Sequence, residues 1–456
     1  MKKIYWAAVL MTIAATFTAC SYDETIEQKQ IPAIGFNPLV NRPTITRGLS
    51  ITNASDVKSF DVWAYSKAST NDEALYMGYA KDGVKINSGF TGERLGDFTV
   101  SNVTWGYNDL GEVAYWPASD KLQFVALSPA HDYTDGEGTE DANKTNVSYT
   151  FTDDALDFAK TTQMGFTYTA DNTVPESNIN TQLRDIAVAA NYQSYDTQGF
   201  SGGHGDVASP ARGNVPFIFR HLLSKIELQG QINRLNKNII VEIKKITIHN
   251  IIKKGSCKLN LADIGEDAAQ NNFAATNPFE WTPLPDETTD DNANYANYVI
   301  TPMDATDATL PVTLKYDDEV IAAANTPEAN STAVSLLNTG DNLFMIPQEI
   351  NEWDHDAAAE ADRKISKADT DKKVYLEIEA KIKQKGIYLV GSADSYGKTY
   401  APLPTPGNAW EPEKKYVYTL IFGVGEDQDG NSHGSPITFS VTSVSNWSQE
   451  SREISM

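Results

Sequence analysis

Val215-Pro-Phe-Ile-Phe-Arg-His-Leu-Leu-Ser-Lys-Ile-Glu-Leu-Gln-Gly230 is the stretch at which an acidic sequence turns apolar near its midpoint. Phe217 and Phe219, then Ile226, Leu228 and Ile232, recur at even steps within their runs, the period of a strand with one buried face. Upstream, Gly202-Gly-His-Gly205 and Pro210-Ala-Arg-Gly213 read as a linker. Downstream, a second core begins. The chain therefore divides into an amino-terminal unit over residues 48–207 and a carboxy-terminal unit over 208–456. The length of 456 residues agrees, being more than one hydrophobic core usually serves.

Apolar residues make up 41% of the chain, with 21 Tyr, 17 Phe and 8 Trp, so there is material for two cores and not the composition of disorder. The net charge of −24, from 61 acidic and 37 basic residues, argues against nucleic acid as a partner, because phosphate binding needs clustered Lys and Arg. The cysteines are Cys20 and Cys257; if the first carries lipid, no internal disulfide is expected and stability rests on packing.

Outward from the midpoint, Phe60-Asp-Val-Trp-Ala-Tyr65 sets Phe60 and Val62 against Trp63 and Tyr65, the pattern of a strand covered on both sides. Leu122-Gln-Phe-Val-Ala-Leu-Ser-Pro129 and Asp185-Ile-Ala-Val-Ala-Ala190 are further strands, and Trp105, Tyr107, Tyr115 and Trp116 stand beside turn residues. In the second half Ile239, Val241 and Ile243 share one parity and Ile246 and Ile248 the other, which predicts a bulge or tight turn. From Val374 to Ile382, alternate apolar residues face inward while Tyr375, Glu377, Glu379 and Lys381 face water, as an antiparallel sheet allows. Residues 353–373 show no apolar period and read as a short solvated helix or a loop; residues 283–298 read as an exposed loop. Short strands, turn-rich connections and no long helical period give an all-β class, two antiparallel β-sandwich domains.

At the amino terminus Lys2 and Lys3 precede an apolar run from Ile4 to Phe17 that ends in Thr18-Ala19-Cys20, so residues 1–20 read as a secretory signal. The run is shorter than the ~20 residues a spanning helix needs. Thr-Ala-Cys resembles a lipobox, with Phe17 where Leu is more usual, which makes Cys20 the expected lipidation site; an incidental cysteine after an ordinary signal is the alternative. Residues 21–47, polar and carrying Pro32, Pro38 and Pro43, form an extended, protease-accessible leader that ends at Arg47-Gly48. Cutting there removes five basic and three acidic residues and moves the net charge from −24 to −26; otherwise Arg47 is simply an exposed linker arginine.

Asp427, Asp429 and Asn431 stand at alternate positions that suit a calcium ion, but the loop departs from an EF-hand in its glycine position and lacks the closing Glu, so a hairpin turn at Asp429-Gly430 explains it without metal. The six histidines show no metal-ligand spacing, and His221 reads as a structural residue. No Gly-x-Ser-x-Gly elbow, phosphate loop or His-Glu-x-x-His is present, so no catalytic residue, cofactor or metal is expected. Trp105, Tyr107, Tyr115 and Trp116 are either core or a sugar-stacking platform. In the tail, Ile437, Phe439 and Val441 alternate, and Val444 and Trp447 continue the apolar content.

These runs follow an order: Asp-Val-Trp-Ala-Tyr, Tyr115-Trp116-Pro117, Leu-Gln-Phe-Val-Ala-Leu-Ser-Pro, Arg-Asp-Ile-Ala-Val-Ala, Phe-Arg-His-Leu-Leu-Ser-Lys-Ile, Asp341-Asn-Leu-Phe-Met-Ile-Pro-Gln348, Lys415-Tyr-Val-Tyr-Thr-Leu-Ile-Phe-Gly423 and Asn446-Trp447. In that order the chain resembles the fimbrillin-like subunits of type V pili over about residues 45–450. The resemblance implies transthyretin-like, Greek-key sandwiches and a structural or adhesive role at the cell surface. It implies export to the outer membrane as a lipoprotein on Cys20, with the acid of Ser21-Tyr-Asp-Glu24 as an export signal, and cutting between Arg47 and Gly48 by an Arg- or Lys-specific protease. A terminal strand of the next subunit then fills the vacated groove, which makes Ile437, Phe439, Val441 and Val444 candidates for exchange. Its partners would be other pilus subunits, the processing protease, and host or bacterial surface ligands. Two alternatives stay open: the tail is the last strand of its own domain, or the protein is a surface lipoprotein that binds glycans and never polymerises.

Overall fold

The computed structural model describes residues 33–40, 57–67, 73–78, 83–90, 97–100, 103–117, 121–130, 147–151, 163–170, 185–194, 214–232, 239–261, 273, 277–284, 294–304, 307, 310–315, 333–338, 343–355, 357–359, 361–422 and 437–446. Within them the chain is almost wholly β, with one short α-helix at Ile365–Thr370. Among the described residues no helix is long and apolar enough to cross a membrane.

The midpoint stretch forms two strands that belong to different sheets. Asn214–His221 joins a nine-stranded sheet, Ser224–Ile232 a five-stranded one, and the buried pair Leu222-Leu223 makes the change between them. The larger sheet runs Gly35–Val40, Asn214–His221, Ala187–Ser194, Lys121–Ser128, Ser59–Lys67, Val84–Ser88, Val103–Tyr107 and Phe98–Val100, with Glu73–Met77 also paired to Ser59–Lys67. Because side chains alternate across a strand, Phe60 and Val62 enter one core while Trp63 and Tyr65 enter another, as their spacing predicts. The first core is aromatic, built from Phe36, Phe60, Phe124, Phe217 and their neighbours. Phe36 on the first strand meets Phe98 on the last with ring centroids 5.9 Å apart, so the sheet curls until its two edges face each other across that core.

The second half is aliphatic. Its five-stranded sheet places Ser224–Ile232 beside Lys414–Phe422 and then Ile437–Asn446 at the edge. Its six-stranded sheet is built on Ile239–Ile252 and Tyr375–Gln384, and the expected parity change appears as a register shift between Ile243 and Lys245. A four-stranded sheet joins Val147–Phe151 and Gln163–Ala170 to Lys254–Asn260 and Phe279–Pro283, so strands from both sides of the midpoint share it. Most pairings are antiparallel, but Gly35–Val40 runs parallel to Asn214–His221, and Ser224–Ile232 parallel to Lys414–Phe422.

Two expectations are corrected. Tyr375 does not face water: it is 1% exposed, because Ala368 of the Ile365–Thr370 helix and Trp353, from the segment before that helix, pack onto it. The stretch read as a loop to residue 298 runs into the strand Tyr295–Ile300, whose Tyr298 is buried. Its Asn-rich composition hid a strand that pairs with the long Ile239–Ile252.

Candidate functional site

The site is the seat of the strand Gly35–Val40, called here the leader strand. Its sequence Ile34-Gly-Phe-Asn-Pro38 is apolar at alternate positions, and Ile34, Phe36 and Pro38 are buried. The strand lies at a sheet edge, in register with one neighbour only, from Gly35 opposite Asn214 to Val40 opposite Phe219. An edge is where a strand tolerates Pro38, since one side of its backbone has no partner to lose.

Five rings hold Phe36. It stacks on Phe217 at 5.3 Å with planes 7° apart, meets Phe60, Phe98 and Phe124 edge-on at 5.9 to 6.0 Å, and leans on Tyr107 at 6.4 Å. The backbone is latched just before it: Ile34 N donates to Ala114 O at 2.9 Å, and the Tyr107 hydroxyl donates to Ile34 O at 2.7 Å. Burial pushes the Tyr107 phenol far above its usual pKa, so the hydroxyl keeps the proton it donates.

The fit has two exacting points. A Cβ at Gly35 would stand 2.9 Å from Asn214 Cγ and 3.3 Å from the Phe98 ring, so only glycine fits while Asn214 stays where it is. Asn37 Oδ1 is buried with no hydrogen-bond partner among the described residues, a cost of about 1–3 kcal/mol in the seated strand.

The neighbouring strand Asn214–His221 is tied to the second half. Arg220 makes a bidentate pair with Glu413, Nε to Oε1 at 2.8 Å and a terminal nitrogen to Oε2 at 2.5 Å, and its guanidinium lies 4.8 Å from the centroid of the Phe279 ring. His221 Nδ1 stands 2.8 Å from Asp185 Oδ2, an almost wholly buried contact between two of the sequence motifs. Ser224 Oγ donates to Glu411 O at 2.7 Å, and Trp281 Nε1 to Leu222 O at 2.8 Å. The motif Phe-Arg-His-Leu-Leu-Ser therefore braces the join between the seat and the rest of the chain.

Of the residues singled out from sequence, Cys20, Arg47 and Gly48 lie outside the described residues, as do Asp427, Asp429 and Asn431. Ile437, Phe439, Val441 and Val444 lie on the edge strand Ile437–Asn446, opposite Phe422, Leu420, Tyr418 and Tyr416 in turn. Of the two readings of the aromatic cluster, core holds for Trp105, Tyr107 and Trp116, and only Tyr115 of the four is exposed, at 39%, so they form no sugar-stacking platform. Among the described residues no group of three or more His, Cys, Asp or Glu side chains is placed to hold a metal. Sequence reasoning missed Ile34 and Phe36, whose alternation was present inside a segment read as an exposed leader.

A family model described as fimbrillin-like matches residues 46–336. A fimbrial protein from Bacteroides vulgatus is similar in structure at 15% identity and a TM-score of 0.43, covering 91% of this chain and 99% of its own. A fimbrilin from Porphyromonas gingivalis is similar at 13% identity and a TM-score of 0.32, covering 91% and 98%. No curated protein matches the chain. Since the family match spans more than half of the 456 residues, the protein belongs to the fimbrillin-like family.

Proposed function

We propose that the protein is a subunit of a cell-surface pilus, structural or adhesive and without catalytic residues. In this reading it is exported as a lipoprotein on Cys20, held at the outer membrane by that lipid, and released for assembly by cleavage between Arg47 and Gly48. The observation that carries the reading is the place of the leader strand: it sits at a sheet edge, fills an aromatic core with Phe36, and lies upstream of Arg47. A cut at Arg47 separates this strand from the chain it completes. Burial of Ile34 and Phe36 then holds it by about 3–6 kcal/mol before ordering costs, little enough for another strand to displace it.

The tail is the candidate replacement. Ile437-Thr-Phe439-Ser-Val441 repeats the leader's Ile34-Gly-Phe36-Asn-Pro38, with isoleucine and phenylalanine at the same spacing. β-Strand addition of this kind would supply the backbone pairs and the ring that the seat loses. Membership of the family supports other pilus subunits as partners and the cell surface as location; the processing protease and any host or bacterial ligand belong to the proposal. The division into units over residues 48–207 and 208–456 belongs to it too; the change of sheet falls at Leu222-Leu223, with Asn214–His221 paired into the larger sheet.

Amino-terminal sequencing of subunits sheared from cells tests the cleavage: assembled material should begin at Gly48, and an intact amino terminus overturns the reading. Arg47→Ala should hold the protein as lipidated precursor. Metabolic labelling with a clickable palmitate should tag the wild type and not Cys20→Ser; equal labelling of both contradicts the lipid anchor.

A further inference from the structure

In the second half a cavity of about 450 Å³ is lined by His249, Asn250, Tyr295, Asn297, Asp369 and Lys372. It exists because of a bulge. Along the pairing of Ile239–Ile252 with Tyr295–Ile300, Ile248 faces Tyr298 and Ile251 faces Ala296, so His249 and Asn250 share the place opposite Asn297. Asn250 and Lys372 both take left-handed backbone, with φ of 61° and 52°, a strain of about 1–3 kcal/mol each that clusters at functional sites.

The walls are fixed by their own contacts. Asn250 N donates to Asn297 Oδ1 at 3.1 Å, and Asn250 Nδ2 donates to Lys373 O at 2.8 Å and to Asp369 Oδ1 at 3.4 Å. The Tyr375 hydroxyl donates to the same Asp369 oxygen at 2.7 Å, while its ring stacks on His249 at 4.5 Å and 8°. Polar groups held this way do not collapse onto one another when the cavity fills, the condition for preorganised binding.

The chemistry selects the ligand. One carboxylate and one ammonium line the cavity, and burial lowers the His249 pKa below its ordinary value despite Glu377 nearby, so the imidazole is neutral at neutral pH. A ligand of either charge therefore meets no excess of the opposite sign. Hydroxyls, which donate and accept at once, match a carboxylate, amides and an ammonium set side by side. Tyr295 adds a ring with Lys372 Nζ over one face, 5.7 Å from its centroid, and the C–H face of a pyranose that takes the ammonium's place can lie against it. The volume falls within the range of about 300–1,000 Å³ typical of small-molecule sites. We propose that this cavity binds a neutral sugar ring. Asp369 and Lys372 lie beyond the part of the chain matched to the family, and the proposal does not depend on strand exchange.

Saturation-transfer NMR on the whole protein tests it, with D-galactose, D-mannose, L-fucose and N-acetyl-D-glucosamine at millimolar concentration as probes. At least one sugar should receive transfer, bind about tenfold more weakly to Lys372→Ala and to Tyr295→Ala, and bind Tyr115→Ala as it binds the wild type. No transfer to any of the four sugars overturns the proposal, as does undiminished binding in both cavity variants or loss of binding in Tyr115→Ala. Variants are read only where thermal melting matches the wild type; Lys372→Gln replaces Lys372→Ala, and Tyr295→Leu replaces Tyr295→Ala, where they do not.

Discussion

The leader strand and the tail strand are both sheet edges and carry the same alternation of isoleucine and phenylalanine, yet they are held in different ways. Gly35–Val40 runs parallel to its neighbour and is fixed by one ring among five. Ile437–Asn446 runs antiparallel to Lys414–Phe422 in a register that shifts once, at Val417/Tyr418. An edge strand gives up only one ladder of hydrogen bonds when it leaves, so what distinguishes one occupant of an edge from another is side-chain fit. At the leader's seat that fit comes down to a large ring at Phe36, a glycine at Gly35 and a carbonyl for Tyr107.

Substitution at each of these points separates the two occupants of the edge. Phe36→Ala leaves a hole among the rings and should destabilise the uncut protein by about 3–5 kcal/mol in urea unfolding, while fibres that have lost residues 1–47 should be unaffected. An equal effect on both forms would mean that the leader stays in place. Next in size is Asn214→Ala. If the tail takes the leader's register, Thr438 falls where Gly35 sits and its Cβ meets Asn214; such crowding costs about 1–3 kcal/mol. Shortening Asn214 should therefore tighten binding of a peptide of residues 435–446 to the cut protein by roughly tenfold or more and leave a peptide of residues 31–42 unchanged, measured by fluorescence anisotropy. Both peptides binding alike to wild type and variant would show that Asn214 does not discriminate. The smallest effect belongs to Tyr107→Phe, which deletes the hydroxyl bonded to Ile34 O and should cost the uncut protein about 1 kcal/mol.

Much of the fold was legible from period-two alternation, because a strand with a buried face writes its burial into every second residue. Phe60 to Tyr65, Phe217 with Phe219, and Leu376 to Ile382 all follow it. Three things were not legible. The leader strand is not legible because its prolines and polar flanks give the segment the composition of an extended leader, and its burial depends on rings as far along the chain as Phe217. Tyr375 obeys the outward parity of its strand but is covered by a helix that no sequence period announced. The cavity beside Asn250 depends on a bulge fixed by which residue of Tyr295–Ile300 pairs with which, a long-range register that composition does not carry.

If the tail of one subunit takes the leader's place in the next, as proposed, a disulfide can catch it there. In the leader's register Thr438 would lie beside Asn214, whereas within its own sheet it lies opposite Ile421. Neighbouring strands bring Cα atoms within the reach of a disulfide. The double variant Asn214→Cys and Thr438→Cys, cut at Arg47 and oxidised, should run as a ladder of covalent multimers on a denaturing gel, and the same protein left uncut should stay monomeric. A cut protein that assembles into fibres yet remains monomeric on that gel after oxidation would contradict the claim, because the tail would then be joining subunits somewhere other than the leader's seat.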